Sequence, residues 1–301
     1  MKKIDILNTR FWLDLPQKAQ DAFNSNNKQF LPTNSIHLAT KKIAHINFDP
    51  TIKKPRSSID SVVFPYVKNS EEKMGWDAIF AVSKLLERNL NEAEIFSIHA
   101  AALCYKNKGV LLLGDSGAGK TTTAINSVLK NRDVELIGGS RIIMQNGMIL
   151  GSAGMIRVRK GSIISEFRRP GLVSGKKFEK MNLDEMISLT PEELGLGKPI
   201  AKRIKIKELI FVKKLPVRTV HIWDLDPDDI FLRLYDALSF YSERLPAVVL
   251  YTKTLYPDLF GERLRKNRVK CALKLGDIPS VYIEGDPKQI VDQTLKRLTR
   301  D

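Results

Sequence analysis

The chain has 301 residues, 43% hydrophobic and 28% charged, a composition typical of a folded globular protein. No apolar run reaches the roughly 18 residues of a membrane-spanning helix, and charged residues interrupt the apolar N-terminal stretch, so we expect neither a membrane protein nor a secretory signal. The net charge of +15 is compatible with an anionic partner and also with a basic solvated surface.

The two cysteines, Cys104 and Cys271, lie far apart and lack metal-binding spacing. They predict buried small side chains in a reducing compartment, so we expect a cytoplasmic protein. Much of the basic excess falls between Arg157 and Arg218, but no aromatic residues interleave there as a single-strand nucleic-acid surface would require. Charge alone therefore leaves RNA and acidic proteins as open partners.

The first ninety residues predict a β-rich region that ends in a helix. Partial alternation in Ser35–Asp49 and the β-branched and aromatic residues of Ser61–Val67 favour strands. Apolar residues at helical spacing predict an amphipathic helix over Gly75–Asn89. We therefore expect an N-terminal region over residues 1–90 and a second domain over residues 91–301.

The rest of the chain mixes strands and helices, which predicts an α/β fold with a mixed central sheet. Two polar turns, Lys106–Gly109 and Asn146–Gly147, favour hairpins. Up to residue 150, the predicted elements are two strands in Phe96–Asp115, a helix over Lys120–Leu129, a strand over Val134–Gly139 and a strand pair over Arg141–Leu150. A loop-rich segment follows, with a short helical stretch near Leu183–Leu189. The last predicted elements are a strand over Ile206–Leu215, a helix beginning at Asp226 or Pro227, a strand over Ser280–Asp286 and a closing helix with Pro287 at its first position.

The segment GDSGAGKT, Gly114–Thr121, fits the phosphate-loop pattern GxxxxGK[ST] without a gap, between a predicted strand and a predicted helix. Glycines at this spacing let backbone N–H groups converge on a phosphate, and the helix that follows adds its N-terminal dipole. Lys120 would place a positive charge against the β- and γ-phosphates, and Thr121 would offer its hydroxyl to Mg²⁺. We expect ATP, with GTP open. The residues expected to contact the nucleotide are Gly114, Asp115, Ser116, Gly117, Ala118, Gly119, Lys120, Thr121 and Thr122.

The segment HAAALCYKNKGVLLLGDSGAGKTTTA, which begins at His99, resembles the HPr kinase/phosphorylase family and its related kinases. The catalytic core of that family is akin to phosphoenolpyruvate carboxykinase. In that family a histidine ends an upstream strand, a GDSGxGKS/T loop follows, and the strand after the loop helix carries paired aspartates. The resemblance is densest over Phe96–Leu150. It implies a P-loop kinase core, ATP and Mg²⁺ as cofactors, and self-association.

This chain departs from the family at Gly138–Ser140, which stands where the paired aspartates would be. One of those acids holds the metal and the other accepts the proton of the attacking hydroxyl, and glycine does neither. Three alternatives are open: other acids substitute, the chain binds nucleotide with little turnover, or its chemistry differs from that of the family. The candidate acids are Asp115, Asp133, Glu135 and Glu166, the last in SEFRRPG, which resembles the family's second signature.

We take His99, Lys120 and Glu166 as catalytic candidates. His99 would lie at the phosphate site or be buried against the sheet, and Arg157 and Arg159 would clamp an anionic group or form an exposed charged face. The other histidines (His37, His45 and His221) lack metal-binding spacing.

The leading hypothesis is an ATP-dependent kinase that resembles HPr kinases and transfers the γ-phosphate to a hydroxyl, either of a serine on a protein or peptide or of a small molecule. The alternative is a catalytically degenerate nucleotide-binding module whose basic surface engages an acidic protein or RNA.

Overall fold

The structure, a computed structural model, describes residues 2–7, 9–27, 31, 42–58, 60–152, 155–165, 180–196, 203–244 and 259–300. Contacts divide the chain into two compact units. One contains Met1–Ser97 with Leu238–Cys271, and the other contains Ile98–Ala237 with Ala272–Asp301. Both units contain sheet and helix, so the fold is mixed α/β.

The first unit contains a five-stranded sheet and two helices that precede residue 97. The strands are β1 (Lys2–Ile6), β2 (Thr9–Asp14), β3 (Lys42–Asp49), β4 (Arg56–Ser57) and β5 (Ser61–Pro65), in the order β1-β2-β3-β5-β4. The two helices are α1 (Gln17–Asn26) and α2 (Glu71–Glu92). β2, β3 and β5 run parallel to one another, and β1 and β4 are antiparallel edges.

The sequence expectation of a mostly β segment before residue 70 is wrong at α1, which buries Ala19 and Phe23 one helical turn apart. The strand predicted over Ser61–Val67 is confirmed as β5, and the helix predicted over Gly75–Asn89 is confirmed inside the longer α2. Of the strand predicted over Ser35–Asp49, the part that lies among the described residues is β3.

The second unit is built on a nine-stranded mixed sheet, counted over the described part of the chain. Its strands are β6 (Phe96–His99), β7 (Ala101–Tyr105), β8 (Lys108–Leu113), β9 (Glu135–Gly138), β10 (Arg141–Gln145), β11 (Met148–Ser152), β14 (Ile204–Lys214), β15 (Val220–Trp223) and β16 (Ser280–Gly285). A separate two-stranded sheet pairs β12 (Ile156–Arg159) with β13 (Met186–Leu189). The remaining helices of the chain are α3 (Lys120–Lys130), α4 (Lys160–Ser165), α5 (Pro227–Ser239), followed by a π-helical turn over Phe240–Arg244, α6 (Glu262–Gly276) and α7 (Pro287–Leu298).

The middle of the large sheet carries three parallel strands, β8, β14 and β16, whose carboxyl ends meet at one edge. β7 is antiparallel to both β8 and β9, so β9 ends at that same edge. The helices α3 and α7 cover one face of the sheet, where Ala124, Val128 and Ile290 pack among the apolar side chains of the strands. This arrangement places the segment between β8 and α3 at the edge where α/β sheets bind ligands.

Two sequence expectations are wrong in this unit. Phe96–Asp115 forms three strands instead of two, because the chain breaks at Ala100, whose N–H donates to Ser140 O at 3.1 Å. The short helical stretch expected near Leu183–Leu189 is a turn followed by the strand β13, since Met186–Leu189 pairs with β12 and Leu189 enters the core.

The other predicted elements are confirmed. Asn146 and Gly147 adopt positive φ values of 49° and 69°, which a tight hairpin turn requires. The closing helix α7 starts at Pro287, and the Asp286 side chain accepts hydrogen bonds from the N–H groups of Lys288 and Gln289. Among the described residues, no helix is both long enough and apolar enough to cross a bilayer.

Candidate functional site

The glycine loop leaves the end of β8 at Leu113 and turns directly into α3 at Lys120. Its three glycines, Gly114, Gly117 and Gly119, have φ values of 139°, 85° and 99°. L-residues rarely adopt these values, so the glycines permit the turn. A Cβ on Gly114 would lie 2.5 Å from Val212 O, which excludes a side chain there on packing grounds as well.

The loop is held against the end of β14. The Lys214 N–H donates to Ala118 O at 2.9 Å, and the Ala118 N–H donates to Asp115 O at 3.1 Å. The Thr123 N–H donates to Gly119 O at 2.8 Å, which begins the hydrogen-bond ladder of α3. The amides of the first turn before it have no partner within the helix, so they and the helix dipole favour an anion at the loop.

Lys120 lies inside the loop. Its side chain is buried, and Nζ donates to Gly114 O at 2.8 Å and to Asp115 O at 2.9 Å. Burial lowers the pKa of Lys120 to about 8, while the nearby Asp115 carboxylate acts to raise it. The ammonium is therefore positioned within the loop, and it is charged at neutral pH.

Thr121 connects the loop helix to the end of β9. Its Oγ1 donates to Gly139 O at 2.7 Å. Because the Thr121 hydroxyl donates its proton to Gly139 O, the lone pairs of its oxygen stay available to accept a hydrogen bond or to bind a metal. The Gly139 carbonyl orients the hydroxyl, but it adds no negative charge to a cation site.

Gly138 and Gly139, which stand where the resembling family has acids, are enclosed by neighbouring strands. A Cβ on Gly138 would lie 2.6 Å from Ser152 Oγ and closer still to Ser152 Cβ. A Cβ on Gly139 would lie 2.7 Å from Ile156 Cγ2. These positions are therefore closed to any side chain in the present packing. Ser152 of β11 and Ile156 of β12 fill the space that such side chains would occupy.

The other candidate acids lie in different places. Asp115 is an exposed residue of the loop itself. Glu135 begins β9 and Asp133 precedes it, and both are exposed. Glu135 lies four residues, or about 13 Å, along the strand from Gly139. Because β9 ends at the loop edge, Glu135 is at the end of β9 that is far from the loop. Glu166 and its SEFRRPG segment lie outside the described residues, apart from Ser165.

His99 ends β6 close to Lys120. Burial, together with the Lys120 ammonium, lowers the pKa of His99 to about 3, although a hydrogen bond to the Ser140 backbone acts to raise it. The imidazole is therefore neutral at physiological pH and too weak a base to take a proton from an alcohol on its own. It can act there as a neutral hydrogen-bonding group.

The remaining candidates are not brought to the loop by any contact described. In β12, Ile156 and Val158 are buried while Arg157 is half-buried and Arg159 exposed, the alternation expected of a strand with one wet face. His45 and His221 are exposed, and His37 lies outside the described residues.

Cys104 and Cys271 are both buried thiols, as expected from the sequence.

Sequence reasoning missed Lys214, which supports the loop from a strand nearly a hundred residues later, and Ser152 and Ile156, which fill the space of the acids. The carboxyl-edge rule for parallel strands could have identified Lys214, since it ends β14, the strand beside β8. No local sequence signal marks Ser152 or Ile156.

Within the described ranges, no three His, Cys, Asp or Glu side chains gather as a metal cluster. A scan of protein-family models finds no match to this chain, and a search of the curated proteins finds no similar sequence.

Proposed function

We propose that this chain binds ATP with Mg²⁺ at Gly114–Thr122 and transfers the γ-phosphate to a hydroxyl of a protein, a peptide or a small molecule. The observation that carries the proposal is the geometry of the loop. Glycines at positive φ, the start of an eleven-residue helix and a buried ammonium all converge between β8 and α3. This combination favours a polyphosphate ligand. We assign the core to the HPr kinase/phosphoenolpyruvate carboxykinase type on the resemblance of His99 and GDSGAGKT.

The loop residues fit the two cofactors in different ways. The amides of the loop and the first turn of α3 would hold the phosphates, and Lys120 would exchange its bonds to Gly114 O and Asp115 O for bonds to phosphate oxygens. Thr121, oriented by Gly139 O, would present its oxygen to Mg²⁺. When bound, ATP supplies the phosphoryl group and the metal neutralises charge on its oxygens.

Transfer is expected to be slow. A general base contributes about 10²–10⁴ in rate, and the closed positions Gly138 and Gly139 hold none. His99 is too weak a base to replace it, Glu135 begins β9 at its far end, and Asp133 precedes that strand. Among the described residues, the loop is left with the exposed Asp115 as a candidate acid, with positioning, and with charge from Lys120 and the metal.

The closed packing at Gly138 and Gly139 also favours a second candidate function. In it the chain binds nucleotide with no transfer, and its basic surface engages an acidic protein or RNA. The exposed Lys213 and Lys214 at the end of β14 lie beside the loop on such a surface.

Incubation with γ-labelled ATP and Mg²⁺ over hours, with and without candidate acceptors, tests the proposal. We expect slow release or transfer of label that Lys120→Ala abolishes, while Lys207→Ala, an exposed lysine near the other end of β14, leaves it intact. ATP binding without any turnover would contradict transfer and support the binding module. RNA affinity that falls steeply with salt would identify RNA as its partner, and a flat salt dependence would exclude it.

A further inference from the structure

Three side chains form a stack on the second unit at some distance from the loop. Trp223 of β15 stacks on Tyr282 of β16, with ring centroids 4.6 Å apart and an interplanar angle of 27°. The Arg233 guanidinium of α5 lies over the Tyr282 ring at 5.0 Å from its centroid. Tyr282 is 7% exposed and Trp223 is 41% exposed. Tyr282 is therefore a buried ring that contacts both a guanidinium and an indole, and the indole is partly exposed to solvent.

The stack is level with the start of the glycine loop. Across the sheet, Leu113 is paired with Phe211, Phe211 with Tyr282, and Tyr282 with Trp223. Three strand spacings separate the backbone of Leu113 from that of Trp223, which amounts to about 14 Å. An extended nucleoside triphosphate has about this span from its terminal phosphate to its base. Residues paired in register share a face, so all four side chains lie on the same side of the sheet.

Electrostatics agree with this proximity. Burial raises the pKa of Tyr282, Arg233 lowers it, and the carboxylates of Glu284 and of the loop residue Asp115 raise it further. Asp115 therefore lies within electrostatic range of the stack.

We propose that the exposed indole of Trp223 stacks on the purine base of a nucleotide, and that the glycine loop holds the phosphates of the same nucleotide. The proposal rests on nucleotide binding at Gly114–Thr122. A base has a π-face that stacks on an aromatic side chain, and Tyr282, which Arg233 contacts, packs against the Trp223 indole. Stacking of this kind accepts any purine, so both ATP and GTP fit.

Two ligands that share a triphosphate, of which only one carries a base, test the proposal. They are ATP and inorganic tripolyphosphate, each titrated with Mg²⁺ by calorimetry. We expect Trp223→Ala to weaken ATP binding about 5- to 150-fold and to leave tripolyphosphate binding unchanged. Trp223→Phe should keep most of the ATP affinity. Ile222→Ala is the matched control, since Ile222 is 40% exposed on the opposite face of the same strand, and it should change neither.

In the wild-type protein, ATP should quench the tryptophan emission and tripolyphosphate should not. Equal weakening of both ligands by Trp223→Ala, or unchanged ATP affinity, would overturn the base site. If Trp223→Ala does not fold, the fluorescence measurement decides. The base site is overturned if ATP and tripolyphosphate quench the wild-type tryptophan emission equally, or if ATP quenches the emission of Trp223→Phe as much as that of the wild type. Lys120→Ala separates this outcome from a failure of nucleotide binding itself. Tripolyphosphate binding that is lost in Lys120→Ala supports the glycine loop whatever Trp223 does.

Discussion

Gly138→Ala tests whether packing, rather than chance, keeps side chains out of the positions where the resembling kinases carry acids. The added Cβ would lie 2.6 Å from Ser152 Oγ and 3.0 Å from Ile142 Cδ1. The Ile142 methyl can rotate away, but Ser152 is held by its hydrogen bond to Ile137 O at 2.6 Å. Overpacking of this kind costs about 1–3 kcal/mol. For a domain of 150–250 residues, this corresponds to a fall in Tm of roughly 2–12 °C.

Thermal unfolding followed by circular dichroism measures the effect, and Gly276→Ala is the control. A Cβ on Gly276 would meet only Ile230 Cγ2, at an ordinary 3.9 Å, so that variant should be at least as stable as the wild type. The second arm is Ser152→Gly, which removes the two Ser152 atoms, Cβ and Oγ, that meet the new Cβ. The double variant should lose less stability than the two single variants together, with a coupling of about 0.5–3 kcal/mol. Undiminished stability of Gly138→Ala, or purely additive effects with Ser152→Gly, would refute the packing argument.

Three further predictions concern the loop and its supports. Because burial lowers the pKa of Lys120 to about 8, tripolyphosphate affinity should fall as pH rises through 8, by up to about tenfold per pH unit. Calorimetry in buffers of different ionisation enthalpy should show the accompanying proton uptake. Lys120→Arg, which stays charged, should bind without this pH dependence, and a flat wild-type profile would contradict the role of Lys120. Thr121→Ala should remove the gain in ATP affinity that Mg²⁺ produces while sparing metal-free tripolyphosphate binding, and an undiminished Mg²⁺ effect would exclude Thr121 as a ligand. Asp286→Ala should lower the free energy of unfolding, measured by urea denaturation, by about 1 kcal/mol, since it leaves the Lys288 and Gln289 N–H groups uncapped. Lys288→Ala, at an exposed position of the same helix, is the control, and equal urea midpoints for the two variants would exclude the cap.

The features that sequence reasoning predicted correctly depend on local chemistry. Asn146–Gly147 forms its turn because both residues accept positive φ, and Asp286–Pro287 starts α7 because one caps the helix and the other has a preset φ. The glycine loop belongs to the same class, since its spacing, its strand and its helix are all read within twenty residues.

The features that it missed depend on contacts between distant segments. β6 and β7 separate because the Ala100 N–H bonds to Ser140 O, forty residues later. Met186–Leu189 becomes a strand because β12 pairs with it, and α1 carries no side-chain cap that would announce it. At the site, local sequence shows that Gly138 and Gly139 lack a carboxylate, whereas the closure of these positions depends on where Ser152 and Ile156 arrive in the fold.

Both proposals depend on the turn between β8 and α3 holding the phosphates of a nucleotide. Calorimetric titration of ATP with Mg²⁺ into the folded wild-type protein and into Lys120→Ala measures this binding. We expect saturable binding at a single site in the wild type and loss of that binding in the variant. Absence of binding by the wild type, or undiminished affinity in Lys120→Ala, would contradict both proposals.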